Sequence, residues 1–231
     1  MAEKTALIVG ASRGIGLGLV KELAGRGWRV IGTLRSPATD KGLQAFADQS
    51  GGKVSVDTVD LEDPASIEAL AARLSGETLD LLFVNAGISG YHGPMSGASR
   101  EDVTKLFVTN TVAPIHLVEL MAGQVREGPG VIALMTSGLG SVASDYRFGV
   151  NLYAATKAAL NKLTRAFTLE LGDRKVTVLS VSPGWVRTDL GGPNAMISVD
   201  ESAKGVIDLV EAKAGTGQHG FYGHDGAVIP W

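Results

Sequence analysis

Short apolar runs rich in β-branched residues alternate with longer amphipathic segments along the whole chain of 231 residues. This alternation indicates βαβ units, and therefore an α/β protein with a parallel sheet. The predicted strands are residues 6–9, 29–34, 54–59, 81–85, 131–136, 176–182 and 221–222. The predicted helices are residues 14–25, 41–49, 64–74, 100–123, 150–171 and 199–212. Short turns join these segments, so we expect a single domain, 1–231.

Composition argues against several classes of function. The net charge of −3 provides no basic surface for nucleic acid or for an anionic membrane. The chain has no cysteine, which removes disulfides, zinc–thiolate sites and thiol catalysis and is consistent with a cytoplasmic protein. We expect no signal peptide, and no apolar run that reaches the roughly 20 residues of a membrane span. The four histidines lack the spacing of metal ligands, so we expect no metal site.

A glycine-rich turn joins the first strand to the first helix. Glycines allow the backbone to approach a pyrophosphate, and the helix offers free N–H groups and the positive end of its dipole. The spacing is Gly-x-x-x-Gly-x-Gly, which differs from the Gly-x-Gly-x-x-Gly of the usual dinucleotide fingerprint. After the first strand of an α/β chain, the turn predicts a nucleotide site. Its residues are Gly10, Ser12, Arg13, Gly14, Ile15 and Gly16.

The end of the second strand indicates which dinucleotide is bound. An acidic residue there would accept hydrogen bonds from the ribose hydroxyls, whereas an arginine would bind a 2′-phosphate. Arg35 ends this strand and Arg13 can approach the same corner, which favours NADP(H) over the alternative of two solvated arginines. Asp60 and Leu61 follow the third strand and could contact the adenine, although an aspartate there is often only a turn residue.

Tyr153 and Lys157 lie four residues apart at the start of a predicted helix, so their side chains leave the same helix face. A phenol has an unperturbed pKa of about 10, and a neighbouring cation stabilises its ionised form. Such a pair suits protonation of a nascent alkoxide. The spacing is common by chance, and a partly buried tyrosine beside a surface lysine is the alternative interpretation. The pair therefore depends on other motifs for support.

Three other strand or helix positions supply that support. The fourth strand ends in Asn85, Ala86 and Gly87, where small residues would let a cofactor lie across the sheet edge. Pro114 has no N–H, so the carbonyl of Asn110 loses its helical partner. This predicts either a simple kink or a free carbonyl that binds a water for proton transfer. Ser137 ends the fifth strand and could hydrogen-bond a substrate oxygen.

Taken in order, these motifs resemble those of the short-chain dehydrogenase/reductase family over the whole chain. The resemblance implies a Rossmann-type, doubly wound fold with about seven strands in the order 3-2-1-4-5-6-7 and helices on both faces. It implies a catalytic tetrad of Asn110, Ser137, Tyr153 and Lys157. It places four further residues on the nicotinamide side of the cofactor: Pro183, Gly184, Val186 and Thr188. Arg13 and Arg35 match the pattern of NADP-preferring members.

The chain also departs from the family pattern. Val9 replaces a usual threonine, which should remove a local hydrogen bond. Extra residues within 144–150 lengthen the segment between Ser137 and Tyr153 and make Ser141 a rival for the hydroxyl role. Tyr146 is not a rival acid, because no cation follows it four residues later. These extra residues, a short lid at 188–198 and the final segment 221–231 resemble the Sniffer-like or C-factor-like carbonyl reductases.

The resemblance implies an NADP(H)-dependent oxidoreductase that transfers a hydride between NADPH and a small carbonyl or alcohol substrate, such as an aldehyde, ketone or quinone. The alternative is an NADP(H)-binding signalling or sensor protein of the C-factor type, with incidental turnover. In the family, the helices that correspond to 100–123 and 150–171 pair across a twofold axis. A homodimer is therefore expected, with a tetramer through the final strand as the alternative.

Overall fold

The structure is a computed structural model that describes residues 3–144 and 149–231. Its single sheet has seven strands in the order β3-β2-β1-β4-β5-β6-β7, which confirms the predicted order. The strands are β1 Thr5–Val9, β2 Arg29–Leu34, β3 Val54–Thr58, β4 Leu81–Val84, β5 Val131–Met135, β6 Thr177–Ser182 and β7 His219–Gly223. The helices are α1 Gly14–Gly25, α2 Leu43–Gln49, α3 Pro64–Arg73, α4 Arg100–Phe107, α5 Ala113–Met121, α6 Asn151–Glu170 and α7 Val199–Lys213.

Helices cover both faces of the sheet, as the doubly wound fold requires. Successive side chains of a strand point to opposite faces, so each central strand contributes to two cores. Ile8 packs on one face, in a cluster that includes Leu19 of α1. Leu7 packs on the other face, in a cluster that includes Leu117 of α5 and Leu160 of α6. This burial fixes α6, the helix that carries Tyr153 and Lys157, against the sheet.

All seven strands are parallel, so their carboxyl ends lie along one edge of the sheet. Ligands of open α/β sheets bind outside that edge. The predicted site residues leave the sheet there: Gly10 after β1, Asn85 after β4, Ser137 after β5 and Pro183 after β6. The topology therefore brings together segments that are far apart in sequence.

The helix predicted over residues 100–123 is interrupted. α4 passes into a π turn at Val108–Val112, in which the N–H of Ala113 donates to the carbonyl of Val108. α5 then begins, with Pro114 in its first turn. A wide turn accommodates a proline that cannot donate a helical hydrogen bond. An interruption of the helix at Pro114 was predicted, but its form, a π turn, was not.

The same stretch, Arg100–Gln124, is long and apolar enough to cross a membrane by length and composition alone, because an 18-residue window within it has a mean hydropathy of 1.3. The expectation that no apolar run reaches such a length is therefore wrong here. However, 61% of this apolar window is buried within the fold. A core helix that packs against a sheet has the same length and composition.

The outer edge of β7 is covered by the segment that follows it. The N–H of Ile229 donates to the carbonyl of Phe221 at 2.9 Å, and Val228 pairs with Tyr222 in antiparallel fashion. The ring of Trp231 lies 5.5 Å from that of Phe221, centroid to centroid. Covering an edge strand in this way protects its free backbone groups. A tetramer formed by pairing two β7 edges would have to displace this segment.

Candidate active site

The glycine turn has room for a ligand because side chains are sterically excluded from it. Gly10 has a positive φ of 87°, and a Cβ there would lie 2.7 Å from that of Ala86. A Cβ on Gly16 would lie 2.0 Å from the carbonyl oxygen of Gly10. Asn85 donates to the same carbonyl at 2.7 Å and ties β4 to the turn. The first N–H groups of α1 have no helical acceptor, so this cradle fits a pyrophosphate.

Thr33 stabilises the turn from the neighbouring strand, and sequence reasoning missed it. Its buried hydroxyl accepts a hydrogen bond from the N–H of Gly10 at 3.1 Å, and its carbonyl accepts one from Ala11 at 2.6 Å. A hydrogen bond was expected to be lost because Val9 has no hydroxyl. β2 supplies a bond at the same turn. The apolar pattern of β2 marked Thr33 as buried but did not indicate this partner.

The two candidate phosphate-binding arginines are both exposed at the carboxyl edge of the sheet. Arg35 directly follows β2. Arg13 precedes α1, and its Nε lies 3.5 Å from a carboxylate oxygen of Asp189 in the predicted lid. The sequence did not predict this partner. An exposed pair of this kind contributes at most about 1 kcal/mol, so a phosphate can compete for Arg13.

The other candidates on the adenosine side have structural partners. The carbonyl of Ser12 accepts a hydrogen bond from the N–H of Lys41 at 3.1 Å. The carboxylate of Asp60 accepts one from the N–H of Glu62 at 2.9 Å, which is the turn role that was the alternative for this residue. Leu61 is buried in the core.

The segment after β6 is fixed on its inner side. The carbonyl of Pro183 accepts a hydrogen bond from the buried hydroxyl of Ser202 at 2.8 Å. Gly184 has a positive φ of 81°, and a Cβ there would lie 2.8 Å from Ile197. Val186 is buried and pairs with Ile197 across the base of the lid. These contacts hold Pro183, Gly184 and Val186, three of the four predicted nicotinamide-side residues, at the sheet edge.

The segment predicted to form a short lid begins at Thr188, close to the glycine turn. The methyl group of Thr188 lies 3.4 Å from the position a Cβ of Gly14 would take. Its hydroxyl accepts a hydrogen bond from the N–H of Gly191 at 3.0 Å. The indole N–H of Trp185 donates to the carbonyl of Gly191 at 2.8 Å, so the lid is closed at its base. The segment predicted for the nicotinamide side is therefore adjacent to the turn predicted for the pyrophosphate.

Two predicted site residues, Lys157 and Asn110, meet at Gly87, and Tyr153 lies beside Lys157. Lys157 is buried, and its Nζ donates to the carbonyl of Met135 at 2.9 Å. The same Nζ lies 5.7 Å from the centroid of the Tyr153 ring. A Cβ on Gly87 would lie 3.3 Å from both Lys157 Nζ and Asn110 Oδ1. Asn110, Lys157 and the end of β4 therefore share one small space.

The side chain of Asn110 joins the loop after β4 to α6. Its Oδ1 accepts from the N–H of Ile88 at 2.9 Å, and its Nδ2 donates to the carbonyl of Ile88 at 2.8 Å. Nδ2 also donates to the hydroxyl of Thr156 at 3.1 Å. Both N–H groups of the amide are used in this way, and the water-binding role predicted at this position belongs to the backbone carbonyl of Asn110. That role stays a prediction.

Thr156 is a second residue that sequence reasoning missed. It is buried one position before Lys157 and accepts the hydrogen bond from Asn110. Its hydroxyl donates to the carbonyl of Tyr153 at 2.7 Å, and its own carbonyl accepts from Thr111 at 2.9 Å. One hydroxyl thus links two members of the predicted tetrad. Its position inside the Tyr-x-x-x-Lys motif was the available signal.

Replacing Thr156 with valine keeps the shape of the side chain but removes both hydrogen bonds. The buried amide of Asn110 then loses a partner, which costs about 1–3 kcal/mol. We expect the free energy of unfolding, measured by urea denaturation, to fall by about that amount. Thr168→Val is the matched control, because that hydroxyl donates only to Arg165 within the exposed part of the helix. Equal losses in the two variants would contradict the linking role.

Ser137, rather than Ser141, faces the tyrosine. Ser137 lies two residues after the end of β5, and its hydroxyl accepts from the N–H of Leu139 at 3.2 Å. It lies close enough to Tyr153 to act on the pKa of that phenol. Ser141 is buried and pairs with the hydroxyl of Ser144 at 2.8 Å. The geometry therefore favours Ser137 for the hydroxyl role. Tyr146, which was rejected as a rival acid, lies outside the described residues.

The pKa of Tyr153 differs from the sequence-based expectation. Burial raises the pKa of Tyr153 to about 12, although its hydrogen bond with Ser137 acts in the opposite direction. Burial also lowers the pKa of Lys157 to about 8. We expected the cation to lower the pKa of the phenol, whereas burial of the phenol raises it. Tyr153 is therefore a protonated phenol at neutral pH and can act as a proton donor.

Comparisons with known proteins agree with this geometry. A family model described as short chain dehydrogenase matches residues 4–196. The C-signal protein of Myxococcus xanthus is 28% identical over 166 residues, which cover 71% of this chain and 100% of that protein.

Three solved structures match 100% of this chain and 100% of their own. They are a Burkholderia multivorans protein with bound NADP, a Pseudomonas aeruginosa PAO1 carbonyl reductase in complex with NADP, and the carbonyl reductase Sniffer of D. melanogaster. Their identities to this chain are 39%, 38% and 28%, with TM-scores of 0.95, 0.92 and 0.89.

Proposed function

The chain belongs to the short-chain dehydrogenase/reductase family, and on that premise we propose that it is an NADPH-dependent carbonyl reductase. The resemblance to the Sniffer-like and C-factor-like members is confirmed by the matches to Sniffer and to C-signal. The observation that carries the proposal is the convergence of Tyr153, Lys157 and Asn110 beside the glycine turn. The substrate class is a small aldehyde, ketone or quinone.

The residues at the sheet edge fit NADP(H). The glycine turn and the start of α1 would hold the pyrophosphate, and Arg13 and Arg35 would hold the 2′-phosphate. Asp60 and Leu61 would bound the adenine. Two segments would contact the nicotinamide side. The first follows β4 and consists of Asn85, Ala86 and Gly87, and the second follows β6 and contributes Pro183, Gly184, Val186 and Thr188. When bound, NADPH supplies the hydride.

The chain's own residues hold the substrate and move the proton. The hydroxyl of Ser137 donates a hydrogen bond to the substrate carbonyl oxygen and polarises it. Tyr153 donates its proton to the same oxygen as negative charge develops there. The ammonium of Lys157 stabilises the resulting phenolate and binds the nicotinamide ribose. The backbone carbonyl of Asn110 anchors the water that returns a proton.

The pKa of Lys157 predicts how reduction depends on pH. Lysine loses its charge as the pH rises through about 8, and the uncharged amine no longer stabilises a phenolate. The pKa of Tyr153, about 12, keeps the acid protonated over this range. We therefore expect kcat/KM for the carbonyl substrate to fall above pH 8. A profile that stays flat up to the pKa of an ordinary lysine, about 10.4, would contradict this.

The proposal is tested by incubating the protein with NADPH and a panel of aldehydes, ketones and quinones. Consumption of NADPH is followed by absorbance, and cofactor affinity is titrated in parallel. We expect turnover with at least one carbonyl class. Tight binding of NADPH without turnover across the panel would contradict the reductase.

A signalling or sensor role is the second candidate, and the match to C-signal favours it. In that case the site binds NADP(H) and turnover is incidental. The variant Tyr153→Phe distinguishes the two functions, because a binding protein retains its biological activity in that variant and a reductase does not.

We also propose that the protein is a cytoplasmic homodimer. The helices that pair in relatives expose large apolar side chains in this structure. Leu120 of α5 is 43% exposed, and Leu163 and Leu169 of α6 are 39% and 80% exposed. Contact with a second copy would remove this surface from water.

A further inference from the structure

Two buried polar atoms between α6 and the sheet lack protein partners. Asn161 is 4% exposed and Ser180 is 1% exposed. Within residues 3–144 and 149–231, neither Asn161 Oδ1 nor Ser180 Oγ has a hydrogen-bond partner. Leaving such an atom unpaired costs about 1–3 kcal/mol. Buried waters are the usual way in which proteins satisfy isolated polar groups of this kind.

The hydroxyl of Ser180 faces α6. Ser180 lies in the middle of β6, in register with Leu134 of β5. Leu134 and Val178 belong to the core cluster on the α6 side of the sheet. Paired residues of adjacent strands, and residues two apart in one strand, point to the same face. Ser180 therefore points into the layer that α6 covers.

Asn161 lies beside Ser180 when positions are compared along the direction of the strands. The carbonyl of Lys157 accepts a hydrogen bond from Thr136 at 3.4 Å, which fixes α6 over the end of β5. Asn161 lies one helical turn, about 6 Å, further along α6. Leu134 lies two residues, about 7 Å, before Thr136. Because α6 connects two parallel strands, it runs opposite to them, and Asn161 comes level with Ser180.

The nitrogen end of the Asn161 amide contacts the turn that follows Ser137. Its Nδ2 donates to the carbonyl of Gly140 at 3.3 Å. Gly140 ends the 3-10 turn Gly138–Gly140, which begins directly after Ser137. A Cβ on Gly140 would lie 2.9 Å from the backbone of Lys157, so this turn packs tightly on α6. Asn161 therefore joins the turn that carries Ser137 to the helix that carries Tyr153.

We propose that Asn161 is a positioning residue for the active site, and that its Oδ1 and the Ser180 hydroxyl bind one buried water. The water donates to Oδ1 and so orients the amide with Nδ2 toward Gly140. The reversed amide would place two carbonyl oxygens against each other. The positioning role rests on the proposed function, whereas the water site does not.

The water site is tested by crystal structures of the wild type and of Ser180→Ala. We expect an ordered water within hydrogen-bond distance of Asn161 Oδ1 and Ser180 Oγ in the wild type, and its loss or displacement in the variant. A wild-type structure with no water there overturns the site. This result does not depend on any substrate, so it holds whether or not the protein reduces carbonyl compounds.

The positioning role is tested with Asn161→Leu, which keeps the approximate volume. Thr164→Val is the matched control, because Thr164 is buried on the same helix and its hydroxyl donates only to Leu160 at 2.7 Å. We expect Asn161→Leu to lower kcat roughly 10- to 100-fold with unchanged NADPH affinity, since small misplacements are costly in catalysis. We expect Thr164→Val to leave kcat unchanged.

Equal losses of kcat in the two variants, or no loss in Asn161→Leu, would overturn the positioning role. If the wild type reduces no carbonyl compound, the proposed function fails, and the role is decided by structure alone. In that case the crystal structure of Asn161→Leu must show Gly138–Gly140 displaced from α6. An unchanged turn would refute the role.

Discussion

Carbonyl reduction by Tyr153→Phe is expected to fall roughly 10²- to 10⁴-fold in kcat, which is the range for loss of a general acid. Phenylalanine keeps the ring but has no proton to donate to the substrate oxygen. Tyr153 lies against Lys157, whose ammonium stays in place because it is held by the carbonyl of Met135. NADPH affinity should therefore change little. Steady-state kinetics and a binding titration measure the two quantities separately.

The control for this variant is Tyr222→Phe. Tyr222 is buried in β7, in the core cluster that packs on the opposite face of the sheet from α6. It should retain the activity of the wild type. If Tyr153→Phe kept kcat within a factor of ten of the wild type, Tyr153 would not be the acid. A parallel loss of NADPH affinity would indicate a role in binding instead.

Arg35→Glu is expected to reverse the preference between the two nicotinamide cofactors. The variant loses a charged hydrogen bond to the 2′-phosphate, worth about 1.5–3 kcal/mol. It also places a carboxylate where it would repel that phosphate and accept hydrogen bonds from the ribose of NADH. We expect Kd for NADPH to rise at least roughly 10- to 100-fold, and Kd for NADH to fall or stay constant.

Lys53→Glu makes the same change of charge at the start of β3, which is the opposite edge of the sheet from Arg35. It controls for the effect of net charge on two anionic cofactors. Calorimetric titration of both variants with NADPH and NADH gives the four affinities needed. If Arg35→Glu changes both affinities by no more than Lys53→Glu does, Arg35 is only a solvated surface residue.

Local sequence patterns predicted the elements of this fold well. The alternation of apolar strands and amphipathic helices located all seven strands, and most boundaries agree within one or two residues. α2 begins at Leu43 rather than at 41 because Gly42 has a φ of 129°, which is not helical. The carboxylate of Asp40 accepts the N–H of Leu43, at the start of the helix, at 2.8 Å. The strand order required the family resemblance, because periodicity alone does not determine which strands are neighbours.

The sequence predicted the candidate site residues one by one, but it did not predict the buried polar residues that hold them in place. Thr33, Thr156 and Asn161 are buried polar residues whose partners lie on other elements. Those partners depend on the register between elements, which sequence spacing does not reveal. The pKa of Tyr153 was expected in the wrong direction for a similar reason, since the degree of burial is a property of the folded chain.

The most direct test of the central claim is isotope transfer from NADPH deuterated at the transferring position of the nicotinamide. The reaction uses the best carbonyl substrate of the panel, with the wild type and Tyr153→Phe, and the alcohol is analysed by mass spectrometry. We predict one deuterium on the carbinol carbon with the wild type and little alcohol with the variant. Alcohol without deuterium, or equal yields from both proteins, would contradict hydride transfer assisted by Tyr153.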